Sequence, residues 1–175
     1  LPVLLETGNK FLKKFDCEIN ILCSPNFSET YYSSFLKDFN FNLIYDKDNS
    51  DLNYITILNS DLVITKSGTS TIECALIGTP FCVVYRTGKL NYEIGKRLIR
   101  IKNIAMVNIL SGKEIVKEFL QEEVNPENLF KEGSAILTDK VYCERMKADF
   151  RKLREILTEK DASANAAKLI INILN

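Results

Sequence analysis

The sequence predicts an α/β chain built on a parallel sheet, and three observations carry that prediction. Short apolar runs rich in β-branched residues recur along the first half, at Glu18 to Cys23, Asn42 to Tyr45, Asp61 to Thr65 and Pro80 to Tyr85. Stretches with apolar residues three and four apart separate them, the alternation expected of helices crossing between strands buried on both faces. Beyond Lys89 strand signals nearly vanish, which predicts a helical C-terminal extension. The expected division is residues 1–110 as the sheet domain and 111–175 as helices packing on it.

Pro2 suits the first turn of a helix, and Leu4, Leu5, Gly8, Phe11, Leu12 and Phe15 then share one face. Ser24-Pro25-Asn26 closes the first strand, and helical spacing returns from Ser28 to Phe39. A second strand at Asn42 to Tyr45, a helix from Ser50 to Asn59 and a third strand at Asp61 to Thr65 follow. Ser67 to Ile77 reads as a helix ended by Gly78-Thr79-Pro80. After the strand Pro80 to Tyr85 come a helix over 89–101, a short extended piece near Ile104 to Ile109, and helices starting near 113, 126, 139 and 161. No strand precedes the first helix. In a Rossmann-like sheet the first strand is central, so the expectation is a sheet lacking that strand, cut from a longer polypeptide.

The 175 residues are 46% hydrophobic and 26% charged, the balance of a globular chain. Twenty-three Lys plus Arg offset 23 Asp plus Glu, so overall charge gives no reason to expect nucleic acid. There is no histidine, which excludes a Ser-His-Asp triad and His-ligated zinc. Cys17, Cys23, Cys74, Cys82 and Cys143 form no Cys-x-x-Cys pair and read as reduced core residues of a cytoplasmic protein. No apolar run reaches the roughly 18 residues of a membrane-spanning helix.

The stretch from Ser60 to Glu73 carries the most chemistry. A buried strand runs into the turn Ser67-Gly68-Thr69-Ser70, which opens a helix whose unpaired N–H groups and dipole face the carboxyl edge of the sheet. Phosphate is the expected guest: Gly68 permits close approach, and Ser67, Thr69 and Ser70 offer hydroxyls. Glu73, one turn deeper on the face of Thr69, is placed to accept ribose hydroxyls. The alternative is that Ser67 or Thr69 only caps the helix and Glu73 is a solvated acid. Arg86, at the end of its strand, is either a phosphate partner or half of a surface ion pair.

The run TKSGTSTIECALIGTPFCVVYR resembles the donor segment of GT-B glycosyltransferases, and the resemblance to lipid-A-disaccharide synthases continues beyond it. Val83-Val84-Tyr85-Arg86, Lys96-Arg97-Leu98, the run from Val107 to Glu114 and the run from Glu118 to Glu123 follow in that family's order and spacing. Phe150 to Leu153 and Ala162 to Ala167 fit its closing helices. The resemblance implies a Rossmann-like nucleotide-sugar half with helical extension, and transfer of 2,3-diacylglucosamine from UDP to 2,3-diacylglucosamine 1-phosphate (lipid X). It implies an inverting reaction with no metal and no cofactor, a cytoplasmic protein peripheral on the inner membrane, and leaves a homodimer open. It gives Asn108 a catalytic role toward the donor; Gln121, Glu122 and Glu123, which include acids at an expected helix end unfavourable to the dipole, are expected donor contacts on that ground. Their alternatives are an Asn stabilising its own turn and an acidic corner at a helix end. Val107 stands where the family usually has Pro, and Lys113 where it has Arg. The family's Gly-Ser-Arg turn and its acceptor half, where the base is expected, have no counterpart in these residues.

From Arg86 to Lys102 six basic residues face one acid, Glu93, with Leu90, Ile94, Leu98 and Ile101 on one helical face. This reads either as a helix lying on an anionic inner leaflet through Lys96, Arg97 and Arg100, or as a core helix with a solvated basic side. Two other functions stay open, the first of which shares the Ser-Gly-Thr and Glu pattern. One is another GT-B donor domain, of a peptidoglycan N-acetylglucosaminyl transferase or a UDP-sugar epimerase; the other is a non-catalytic nucleotide-binding domain.

Overall fold

The computed structural model describes residues 1–36, 39–46, 51–88, 103–158 and 162–174. Helix α1 (Pro2–Lys14) is followed by β1 (Asn20–Cys23), α2 (Glu29–Phe35), β2 (Asn42–Tyr45), α3 (Asp51–Leu58), β3 (Val63–Lys66), α4 (Ser70–Ile77) and β4 (Phe81–Tyr85). Then come α5 (Met106–Ser111), β5 (Glu118–Leu120), a 3-10 turn (Gln121–Glu123), α6 (Pro126–Thr138), α7 (Lys140–Thr158) and α8 (Ala162–Leu174). Every strand pairing is parallel: β1 lies beside β2, and β3, β4 and β5 form a second ladder in that order. The α/β class and the first four strands agree with the sequence reading.

β4 is the pivot of the core, because its neighbours on both sides bury Phe81, Cys82 and Val83 completely. Phe81 and Val83 enter a cluster with Cys74 and Ala75 of α4, Val107 of α5, and Met146, Phe150 and Leu153 of α7. Cys82 points to the other face, where Phe119, Val124 and Leu129 pack with Val3 and Leu4 of α1. The period of two along β4 thus serves two helical layers, α1 with α6 below and α4 with α7 above. Gly133 sets the closeness of the lower layer: a Cβ there would stand 2.5 Å from Phe11 and 2.6 Å from Leu62.

Four expectations change. The extended piece near Ile104 to Ile109 is the helix α5, and the helix expected from about 113 is replaced by a loop and β5. Lys113 to Glu123 is rich in helix formers, but Glu118, Phe119 and Leu120 complete the open side of β4 in register with Val83, Val84 and Tyr85. Burial of Phe119 against the sheet then outranks local propensity. The sheet therefore runs past the expected boundary at 110, as far as Leu120. Cys17 is exposed and not a core residue, because it lies in the loop between α1 and β1; Cys23, Cys74 and Cys82 are buried. The helix expected over 89–101, with Lys96, Arg97 and Arg100, lies outside the described residues.

Candidate functional site

β3 ends at Lys66, and Ser67 N–H still donates to Val84 O, so the turn that follows is fixed to the sheet. Gly68 has φ +154, a conformation a side chain would strain, and Thr69 re-enters helical geometry. Thr71 N donates to Gly68 O, while Ile72 N and Glu73 N both donate to Thr69 O. The N–H groups of Gly68, Thr69 and Ser70 have no acceptor among the described residues. Three successive free donors stand at the positive end of α4, at the carboxyl edge of the sheet, an arrangement chemically suited to receive an anion.

The hydroxyls are arranged differently from expectation. Ser67 Oγ donates to Ile104 O at 2.9 Å, and Ser70 Oγ bonds Lys66 O and Thr65 Oγ1. Thr71 donates to Gly68 O, whereas the Thr69 hydroxyl has no partner among the described residues. Of the hydroxyls read as phosphate donors, only that of Thr69 is uncommitted. Neither Ser67 nor Thr69 caps the helix with its side chain. Glu73 is half-buried in the first turn of α4, and its carboxylate makes no hydrogen bond or ion pair among the described residues.

Arg86 follows β4, exposed and without an ion pair among the described residues. The carboxyl edge thus carries the N-terminus of α4 after β3 and, at the end of the neighbouring β4, Arg86.

Gln121, Glu122 and Glu123 do not end a helix; they form the turn after β5. Gln121 adopts φ 50, unusual for a residue with a side chain, and its amide accepts from Thr87 N at 2.8 Å and donates to Thr87 O at 3.1 Å. Glu123 accepts from Leu120 N, and Glu122 is exposed. Asn108 is fully buried. Its Nδ2 donates to Val116 O and to Glu118 Oε1, and its Oδ1 accepts from Ile115 N and Val116 N. Both amide hydrogens and both lone pairs are spent inside the fold, so Asn108 ties α5 to the loop and strand that follow it, and its amide has no hydrogen or lone pair left for a ligand.

Sequence reasoning missed Glu118. Its 9% exposed carboxylate accepts from Ile104 N at 2.8 Å, Ala105 N at 3.1 Å and Asn108 Nδ2 at 2.7 Å. The available signal was an acid directly before Phe119-Leu120 in an otherwise apolar strand. A groove of about 480 Å³ between Lys113–Lys117 and Tyr142–Asp149 shares no residue with the edge, and the Lys113–Asp149 ion pair spans it. Free backbone donors, not concavity, single out the turn.

The family model described as lipid-A-disaccharide synthetase matches residues 5–173. The lipid-A-disaccharide synthase of Persephonella marina is 34% identical over 172 residues, covering 97% of this chain and 45% of the relative. That of a Sulfurihydrogenibium species is 33% identical over 187 residues, with 99% and 47% covered. That of Syntrophotalea carbinolica is 38% identical over 117 residues, with 67% and 30% covered. The chain spans less than half the length of these curated relatives.

Proposed function

The chain belongs to the lipid-A-disaccharide synthase family, and on that premise we propose that it binds the nucleotide-sugar donor of a glycosyl transfer in lipid A biosynthesis. The observation that carries this reading is the set of free N–H groups at Gly68, Thr69 and Ser70 on the positive end of α4. They receive the diphosphate, the Thr69 hydroxyl adds a donor, and Arg86 supplies charge from the neighbouring strand end. Glu73, on the helix face of Thr69, takes the ribose hydroxyls.

The donor is UDP-2,3-diacylglucosamine and the acceptor is 2,3-diacylglucosamine 1-phosphate; the products are the disaccharide phosphate and UDP. The sugar leaves a diphosphate that gains negative charge as the anomeric bond breaks. Backbone donors fixed to a sheet need no reorganisation to meet that charge, and this is how the half contributes to rate. The base that deprotonates the acceptor hydroxyl comes from the part of the relatives that this chain does not cover. Among the described residues no helix is long and apolar enough to cross a membrane. Access to the lipid substrates is peripheral, on the cytoplasmic side, through Lys96, Arg97 and Arg100.

Isothermal titration of the chain with UDP and with ADP tests the reading. UDP should bind and be preferred. Binding of ADP with no response to UDP would assign the edge to a different nucleotide.

A further inference from the structure

The backbone on either side of residues 88–103 is tied down by side chains that come from one place, β5 and the turn after it. On the near side, Gln121 bonds both the N–H and the carbonyl of Thr87, copying a strand pairing with a side-chain amide. On the far side, Glu118 receives Ile104 N and Ala105 N. Ile104 O then accepts the Ser67 hydroxyl of the turn before α4. The path Glu118, Ile104, Ser67 therefore joins the outer strand of the sheet to that turn by consecutive hydrogen bonds.

A carboxylate is a costly group to place at this depth. Glu118 is tolerated because N–H donors converge on it at the start of α5, and an apolar residue at the same strand position would leave Ile104 N, Ala105 N and Asn108 Nδ2 without that acceptor. The arrangement also works in reverse: the charge is satisfied only when Ile104 and Ala105 occupy one position, so it specifies where that backbone stands. Ser67 spends its proton on Ile104 O and becomes a strut, which leaves ligand binding to the Gly68, Thr69 and Ser70 amides. The left-handed backbone of Gln121 aims its amide at Thr87, the neighbour of Arg86.

We propose that Glu118 and Gln121 are positioning residues for nucleoside diphosphate binding: Glu118 sets the Ser67 turn through Ile104, and Gln121 sets Arg86 through Thr87. The inference rests on the donor reading of the turn.

The experiment is a double-mutant cycle read by UDP titration of the 175-residue chain, with Ser67→Ala, Glu118→Gln and the pair combined. Thermal melting confirms that each variant is folded. Each single change should weaken UDP binding about tenfold, and the double variant should bind no more weakly than the weaker single. Folded single variants with unaltered affinity, or losses that multiply in the double variant, would overturn the Glu118 path. If Glu118→Gln does not fold, hydrogen exchange in the unaltered chain decides: UDP should slow exchange at the Ile104 and Ala105 amides, and unchanged rates there would overturn it. Gln121 lies on a half-exposed turn, so Gln121→Met should fold and bind UDP severalfold more weakly; unaltered affinity would remove Gln121 from the proposal. Absence of UDP binding by the unaltered chain would defeat the donor reading itself, whereas UDP binding without coupling would defeat this inference alone.

Discussion

Asn108 donates to Glu118 at 2.7 Å inside a region closed to solvent, and the same amide holds the backbone of Ile115 and Val116. One side chain thereby joins α5, the loop after it and β5.

Truncating it gives the first prediction. Asn108→Ala leaves Ile115 N, Val116 N and Val116 O without partners and strips one donor from a buried carboxylate. Each orphaned buried group costs about 1–3 kcal/mol, so the variant should lose at least about 3 kcal/mol in urea denaturation. A residue whose task was ligand contact would lose affinity and keep its stability, and a stability change near zero would contradict the placement described above.

Phe150 of α7 stacks on Phe81 of β4 with ring centroids 5.3 Å apart, both rings shielded from water. Phe150→Ala should cost about 3–5 kcal/mol, the range for deleting a buried aromatic and leaving a cavity. A loss under about 1 kcal/mol would mean that α7 does not seal the upper face of the sheet.

The parallel strands were legible because β-branched runs such as Asp61 to Thr65 have few other uses, and the turn at Gly68 was legible because small residues between strand and helix constrain the backbone. β5 was not. Glu118 to Leu120 becomes a strand only through β4, a partner distant in sequence, and no local pattern reports an empty sheet edge. The roles of the hydroxyls were hidden for the same reason: Ser67 and Thr69 look alike in sequence, but Ile104, which takes the Ser67 proton, is far along the chain. Asn108 was expected at a strand-to-helix corner near the cleft; it lies inside α5, and the unread part was Glu118, which together with Val116 takes up its amide hydrogens.

Gly68→Ala separates backbone strain from packing. An added Cβ meets nothing within 4 Å, yet φ +154 is unfavourable for any residue that carries one. The change should cost about 1–3 kcal/mol or move the turn to relieve the strain. UDP affinity should fall by about tenfold or more as the neighbouring amides lose alignment. Unaltered UDP titration in the folded variant would show that the turn does not receive the diphosphate.

Burial, with the Glu73 charge adding to it, pushes the Cys74 thiol from 9.0 up to about 12. The folded-state value is raised, so the neutral thiol contributes fully below the unfolded pKa and its contribution is lost as pH rises through the folded one. Between pH 9 and 12 the unfolded chain releases this proton and the folded chain keeps it, so stability falls with pH by on the order of 1 kcal/mol per unit from this group. Urea midpoints at pH 8 and 10 should therefore fall less in Cys74→Ala than in the unaltered chain. Equal slopes would mean that Cys74 exchanges protons as freely folded as unfolded.

The last prediction concerns the basic residues between Arg86 and Lys102, which fall within a chain whose formal net charge is zero. Charge concentrated over so short a stretch, with Leu90, Ile94, Leu98 and Ile101 at helical spacing, suits an anionic leaflet, where each Lys or Arg contributes about 1 kcal/mol. Sedimentation with vesicles containing phosphatidylglycerol should carry the protein down at low salt and release it at high salt, as the Debye length shortens. Replacing Lys96, Arg97 and Arg100 together by Glu should abolish the association at low salt, while UDP titration stays close to that of the unaltered chain. Sedimentation that ignores both salt and these substitutions would assign any membrane contact to another surface. Release by salt without an effect of the substitutions would keep the electrostatic attraction and move it to other basic residues.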